Sequence, residues 1–379
     1  MKIALITDGI TPYVMGGMQR HSALLAQHLA KLGVEVHLFH TCKGPQQISK
    51  ARELKGITED ALITYHFIDY PTEGKLPGHY VRDLKKYSRL VLSYYQEAKI
   101  DADFIYTQGL TGWAFIEAKA HGVVLPQIGV NCHGYEMFQW AANIRGRVEQ
   151  WILRPPFQWV TQHADLVFSF DAKIKEIVIN RLGKPVNQVA VVANAIDQEW
   201  CVSEPAPSGP IRKFLFVGRY ERRKGVPEIH QAIQSCKDPR CEFHFIGPVP
   251  KDVQLDDPRV RYHGAIMDPE KLKEAISQCD VLLCPSYAEG MPTVILEAMA
   301  RGLAIIATDV GASSVMVGPE NGILLDHCSA AGIGSAVASV LQWPDEELTE
   351  MRVASLVKVE EFIWDRVAQQ TLLAIEQAI

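Results

Sequence analysis

Short apolar runs alternate with helix-periodic segments along almost the whole chain, and the connections between them are short. Lys2–Thr7 is such a run. A loop from Asp8 to Gly17 follows, and then Leu24, Leu25, His28, Leu29 and Leu32 recur at helical spacing until Gly33 stops them. Val34–Phe39 is the next apolar run. Two strands joined through one helix pair in parallel, so this is a βαβ unit of a parallel sheet. Phe104–Thr107, Gln127–Cys132, Leu166–Phe170 and Gln188–Val192 read as further strands. The alternation breaks once, at Glu204-Pro-Ala-Pro-Ser-Gly-Pro-Ile-Arg-Lys213, where three prolines and a glycine leave no periodicity. It then restarts. Phe214–Val217, Glu242–Ile246, Val260–His263, Val281–Cys284 and Ala304–Thr308 read as strands, and Val226–Ser235, Pro269–Cys279, Thr293–Arg301 and Ala330–Leu341 as helices. Two α/β halves about a linker predict two doubly wound sheets facing each other. In such folds ligands bind at the carboxyl ends of the strands.

A chain of 379 residues suits two domains better than one, and 47% hydrophobic with 22% charged residues is ordinary for a globular protein with sizeable cores. The net charge of −6 gives no global positive field for nucleic acid. The eight cysteines, Cys42, Cys132, Cys201, Cys236, Cys241, Cys279, Cys284 and Cys328, form no CxxC pair and read as buried reduced thiols. The start, MKIALITDGI, is interrupted by Asp8 too soon for a signal peptide, and no apolar stretch reaches the roughly 18 residues of a membrane span. The expected location is cytoplasmic, at most peripheral to a membrane.

The loops that leave strands hold the candidate site. Gly16 and Gly17 open the first helix and let backbone approach a ligand at a helix N-terminus, although a plain flexible turn explains them equally well. This loop is not GxGxxG, and the second strand ends without the acidic residue that holds a ribose, which weakens an NAD-enzyme reading. His133 follows a strand beside Gly134, where an imidazole can donate a hydrogen bond or exchange a proton. Gly218-Arg-Tyr-Glu-Arg-Arg-Lys-Gly225 puts four basic residues after a strand, which suits a diphosphate; spacing does not say which of them, Arg219 and Lys224 included, point inward. Asp101-Ala-Asp103 precedes its strand, at the wrong end for a metal motif, and reads as a turn. Glu289 and Glu297 stand with seven residues between them around the start of the helix Thr293–Arg301. Pro292 lies near its first turn, and the free N–H groups of Thr293 and Val294 make an anion site. Glu297 sits in an apolar run, where a carboxylate wants a ribose diol or a structural partner such as Arg301. The residues leave both readings open.

In this order these motifs resemble the family-4 retaining glycosyltransferases, whose GT-B fold has two Rossmann-like doubly wound domains facing across a cleft. The motifs are Gly16-Gly17, His133-Gly134, Asn194-Ala-Ile-Asp197, Gly218-Arg219 with Lys224-Gly225, Glu289-x7-Glu297 and Thr308-Asp-Val-Gly311. The resemblance implies an N-terminal acceptor-side domain over 1–205, a nucleotide-sugar domain over 206–360, and a last helix, 361–379, returning to the first. It implies transfer of a sugar with retained configuration from a nucleotide-sugar, most commonly a UDP-sugar, to a saccharide or lipid-linked acceptor, with no metal. Glu297 would hold the ribose and Glu289 the donor sugar. Arg219 and Lys224, with the N–H groups of Thr293 and Val294, would neutralise the diphosphate. His133 would contact the sugar near the reacting carbon. Gly16, Gly17, Asn194, Gly290, Met291 and Pro292 would complete the donor site, and backbone near Ile266 would read the base.

Two departures stand out. Asn194-Ala195 replaces the usual Asn-Gly, and Pro292 stands where a glycine is common, which removes one N–H donor near the sugar. The rival readings are a UDP-sugar 2-epimerase on the same fold, which would interconvert sugars with little UDP release, and a catalytically silent nucleotide- or glycan-binding protein. Tyr80–Ala98 and Ile144–Trp159 mix basic and aromatic residues. They read equally as helices packed on a sheet or as a peripheral contact with an anionic membrane at its inner face.

Overall fold

The structure is a computed structural model in which residues 1–14, 16–41, 61–71 and 78–379 are described; Cys42 lies outside them. The chain divides into two compact units. The first joins Met1–Phe138, Val148–Asn194 and Trp364–Ile379, and the second joins Gln139–Arg147 and Ala195–Ile363.

The first unit is built on seven parallel strands. They are β1 (Lys2–Ile6), β2 (Glu35–His40), β3 (Ile63–Phe67), β4 (Phe104–Gln108), β5 (Gln127–Asn131), β6 (Leu166–Ser169) and β7 (Val189–Val191), in the order β3-β2-β1-β4-β5-β6-β7. Ile3, Ala4, Leu5 and Ile6 are all fully buried, as expected of a parallel strand covered on both faces. The helix after β1 starts at Gly17, ahead of the periodic run from Leu24 to Leu32, and its first turn carries neither a side-chain cap nor an acidic residue to announce it. β3 was not expected, since Ile-Thr-Tyr-His-Phe mixes polar and apolar residues; it pairs along β2 over its whole length. Trp364 opens the helix Trp364–Glu376 and seats it on the helix Gly17–Lys31, stacked on His28 (centroids 5.4 Å apart) and packed on His21 (5.2 Å).

The second unit has six parallel strands. They are β8 (Arg212–Val217), β9 (Cys241–Ile246), β10 (Val260–Gly264), β11 (Val281–Cys284), β12 (Ala304–Thr308) and β13 (Gly322–Leu325), in the order β10-β9-β8-β11-β12-β13. Strand order reverses between β8 and β11, and the loops leaving those two strands border the crevice where this fold takes ligands. Phe214, Phe243, Ile229 and Ile233 belong to the core that supports β8. β13 escaped the sequence reading because it has four residues and begins with glycine; a Cβ at Gly322 would lie 2.0 Å from the carbonyl oxygen of Ile305. Asp103 has a structural partner: its Oδ2 accepts the N–H of Lys2 at 2.7 Å. No described helix is long and apolar enough to cross a membrane.

Candidate active site

In the second unit, β8 gives way to a loop and a single 3-10 turn, Arg222–Lys224, which ends at Gly225 in the left-handed region (φ 74°). A Cβ at Gly225 would lie 2.3 Å from the carbonyl oxygen of Pro285, so only glycine lets the basic loop touch the loop after β11. The N–H of Tyr287 donates to the carbonyl of Arg223 at 2.8 Å and ties the two loops by backbone. The turn sorts the four basic side chains. Arg222 makes two bonds to Glu228 (2.6 and 3.0 Å) and lies over the ring of Tyr287, whose hydroxyl also donates to Glu228. Arg219 is 77% exposed and pairs with Glu221 at 3.0 Å. Arg223 and Lys224 turn inward.

Both reach Glu289, which is 5% exposed. Lys224 Nζ lies 2.5 Å from Oε1 and Arg223 Nη1 3.1 Å from Oε2, while Ser286 donates to Oε1 at 2.7 Å. Burial opposes charge on this carboxyl, but the two cations and these hydrogen bonds outweigh it and hold Glu289 below the usual carboxylate range. Counting Arg219, Arg223 and Lys224 against Glu221 and Glu289, the cluster keeps one net positive charge. Beside it the helix Thr293–Ala300 begins. Its N-cap is Pro292, which supplies no side-chain cap, and Thr293, Val294 and Glu297 are partly exposed. A helix start without a side-chain cap next to a net positive cluster is chemically suited to an anion.

The loop is held from two more sides. Gly311, left-handed at φ 57°, lets the segment after β12 press on it, since a Cβ there would meet the carbonyl oxygens of Gly290 and Glu289 at 2.2 and 2.3 Å. Ala312 N–H donates to Gly290 O at 2.8 Å. Gln139 donates from Nε2 to the carbonyl of Glu289 at 2.6 Å and accepts its N–H at 3.4 Å. Met291 is buried, and Ile266 lies partly buried in the loop leaving β10.

In the first unit, His133 follows β5 with a left-handed backbone (φ 55°), a strained conformation for a non-glycine residue. Its N–H donates to Asn131 Oδ1 at 2.9 Å, and Asn131 donates to the Tyr106 hydroxyl at 2.9 Å. The ring turns back over the sheet end. Its Nε2 lies 2.5 Å from Gln108 Oε1, and the ring stands nearly perpendicular to that of His21, centroids 4.6 Å apart. Dense packing pushes its pKa down to about 4, and a hydrogen bond with Asn194 offsets part of that shift. The structure therefore brings His133 and Asn194 together. Gly16 caps the helix Gly17–Lys31; a Cβ on Gly16 would meet Gln19 Oε1 at 2.1 Å, whereas one on Gly17 would meet nothing within 4 Å.

A family profile described as Glycosyltransferase Family 4 matches residues 15–200, and one described as Glycosyl transferases group 1 matches residues 211–342. The chain belongs to the family-4 glycosyltransferases. An alpha-maltose-1-phosphate synthase of Mycolicibacterium smegmatis is 25% identical over 410 aligned positions, which cover 98% of each chain. A putative teichuronic acid biosynthesis glycosyltransferase of Bacillus subtilis is 28% identical over 188 residues, 49% of this chain and 41% of that protein. Among solved structures, a sucrose-phosphate synthase of Thermosynechococcus elongatus superposes with a TM-score of 0.80 at 20% identity, covering 99% of this chain and 98% of that one. The fold is thus GT-B.

As a glycosyltransferase the chain differs from its sequence reading in one cation. Arg223, not singled out before, converges with Lys224, while Arg219 lies outside. Three basic residues in a row give no direction; the phase of one 3-10 turn does. Gln139 and Gln108 were also missed, because an amide in a loop or at a strand end carries no periodic signal.

Proposed function

We propose that this glycosyltransferase transfers a sugar with retained configuration from a nucleotide-sugar, of which a UDP-sugar is the expected kind, and that it does so without a metal. The observation that carries the reading is the buried Glu289 carboxylate facing Lys224 and Arg223 beside an uncapped helix start. In this reading the diphosphate lies against Lys224, Arg223 and the N–H groups of Thr293 and Val294, with Arg219 swinging in from the surface. Glu297 takes the ribose hydroxyls, Glu289 the sugar hydroxyls, and His133 with Asn194 the region of the reacting carbon. The bond from the anomeric carbon to the phosphate oxygen breaks while the acceptor oxygen bonds to that carbon on the same face. The leaving phosphate accepts the acceptor's proton. Fixed positive groups stabilise the departing diphosphate, the service a metal gives elsewhere. A thermal-shift screen of nucleotide-sugars tests this: a UDP-sugar raises the melting temperature because it binds the native state, and no shift with any nucleotide-sugar defeats it. Glu297→Ala weakens UDP binding by about 10- to 100-fold, the range for hydrogen bonds to a charged group, and unchanged affinity by calorimetry removes the ribose role.

For the acceptor we propose a saccharide carried on a lipid at an anionic membrane surface. On the helix Ile144–His163, Ile144, Val148 and Trp151 share one face and are 80%, 54% and 73% exposed. Arg145 and Arg147 flank them. Apolar side chains that could be buried in a lipid interface, next to cations that prefer anionic headgroups, support this reading. Sedimentation with anionic liposomes tests it, and Trp151→Glu should abolish pelleting.

A further inference from the structure

β4 and β5 lie side by side, with Gln108 opposite Asn131 at their carboxyl ends. Gln108 is fully buried, an unusual place for an amide with no role in a ladder. It stands between two imidazoles. Its Oε1 lies 2.5 Å from His133 Nε2, and its Nε2 lies 3.4 Å from His21 Nδ1. An amide oxygen only accepts and an amide nitrogen only donates. The chain of bonds therefore has one direction. His133 carries a hydrogen on Nε2 and donates a hydrogen bond to Gln108 Oε1, and the Gln108 Nε2–H donates to His21 Nδ1. The backbone enforces the approach, because the left-handed turn at His133, pinned by Asn131, aims the ring at Gln108. Of the other groups that face His133, His21 comes from the first helix, Phe170 from the end of β6 and Asn194 from the chain leaving the unit. Behind Trp364 stand His28 and Asp365, 3.3 Å apart.

We propose that Gln108 is a positioning residue of the transfer site, and that its amide fixes which ring nitrogen of His133 bears the proton and holds the ring as a neutral hydrogen-bonding group. The inference rests on the reading of His133 as a donor-site residue. Its consequence is that His133 does not exchange its proton during transfer; a bond to a neutral amide favours the imidazolium far less than one to a carboxylate does. The packed surroundings act in the same direction, pushing His133 down to about 4 and His21 well below its ordinary value.

The test has two arms on the full chain. In the first, ¹⁵N spectra of histidine-labelled wild-type protein are recorded from pH 8 to 5. His133, identified by its loss in His133→Ala, should show a protonated Nε2 and a bare Nδ1 that does not titrate in this range. A protonated Nδ1, or titration near pH 6.5, overturns the proposal without any variant of Gln108 having to fold. In the second, Gln108→Glu places a carboxylate against the ring. His133 should then titrate near or above pH 6.5, and kcat should fall about tenfold per pH unit on the acid side, with KM for the donor held within about threefold. A profile that superposes on wild type overturns the positioning role. If His133→Ala itself transfers like wild type, the donor-site reading fails instead, and the spectra still decide the tautomer.

Discussion

β2 and β3 in the first unit, and β9 and β10 in the second, carry matching pairs of stacked histidines. His37 Nδ1 lies 2.9 Å from His66 Nε2, and His244 Nδ1 lies 3.0 Å from His263 Nε2. In both sheets the partner sits two residues beyond the register position, opposite Phe39 in one and just past Arg261 in the other. The outer strands of the two units are thus finished alike, and the strand ends at the centre are not. In the first unit His21, Gln108 and His133 close the sheet with neutral groups joined by hydrogen bonds. In the second, Arg223, Lys224 and Glu289 close it with charges. One scaffold supports both because the chemistry belongs to the loops and last strand residues, which the sheet positions without constraining their type.

The difference can be broken from the charged side first. Lys224→Ala should lower kcat by about 10²- to 10³-fold, the scale of losing one fixed group that stabilises developing charge, measured by steady-state release of the nucleoside diphosphate. A loss under tenfold would place the diphosphate elsewhere. His133→Ala should lower transfer by more than about tenfold, with wild-type turnover removing it from the site. Arg223→Ala should cost about 1–3 kcal/mol and shift the melting temperature by several degrees, since it leaves a buried carboxylate with one cation fewer. Arg219→Ala should leave the melting temperature of the ligand-free protein unchanged, because that pair is on the surface.

Acid should separate the units more gently. His40, His66 and His133 are each held down to about 4 by burial, against 6.5 when unfolded, and His21 lies well below its ordinary value. The unfolded chain therefore takes up protons that the folded first unit refuses as pH falls from 6.5 toward 4. Stability is full above pH 6.5 and declines by up to about 1.4 kcal/mol per pH unit for each such histidine. Glu289 behaves otherwise: its lowered value makes its contribution present above pH 4.5 and lost only below that. Burial lowers His230, His244 and His263 of the second unit as well, so hydrogen exchange at pH 5 should show both units loosening, with the strands of the first opening more readily than β8 and β11. Equal protection would erase the distinction.

Much of the architecture was legible in the sequence, because buried parallel strands are continuous apolar runs and their helices end at glycines. β1, β11 and β12 are of this kind. β3 and β13 were not legible, one because polar residues interrupt it and the other because glycine starts it. At the site, Glu289 is conspicuous as a carboxylate after a strand end, whereas Lys224 stands out from its basic neighbours only through the family resemblance. Arg223 could not be told from Arg219 and Arg222, whose directions depend on the turn that ends at Gly225 and on the bidentate bond to Glu228. Gln108 is a plain residue in sequence and acquires meaning only once β4 and β5 stand in register.

The seat of Trp364 bears on the order in which the molecule is made. The first unit takes in residues 364–379, so on the ribosome its packing around His21 and His28 stays incomplete until those residues have emerged. All of the second unit has been synthesised by then. The half whose sequence comes first is therefore the half that finishes last, and a chain stalled before Trp364 would leave His21 and His28 without their aromatic cover.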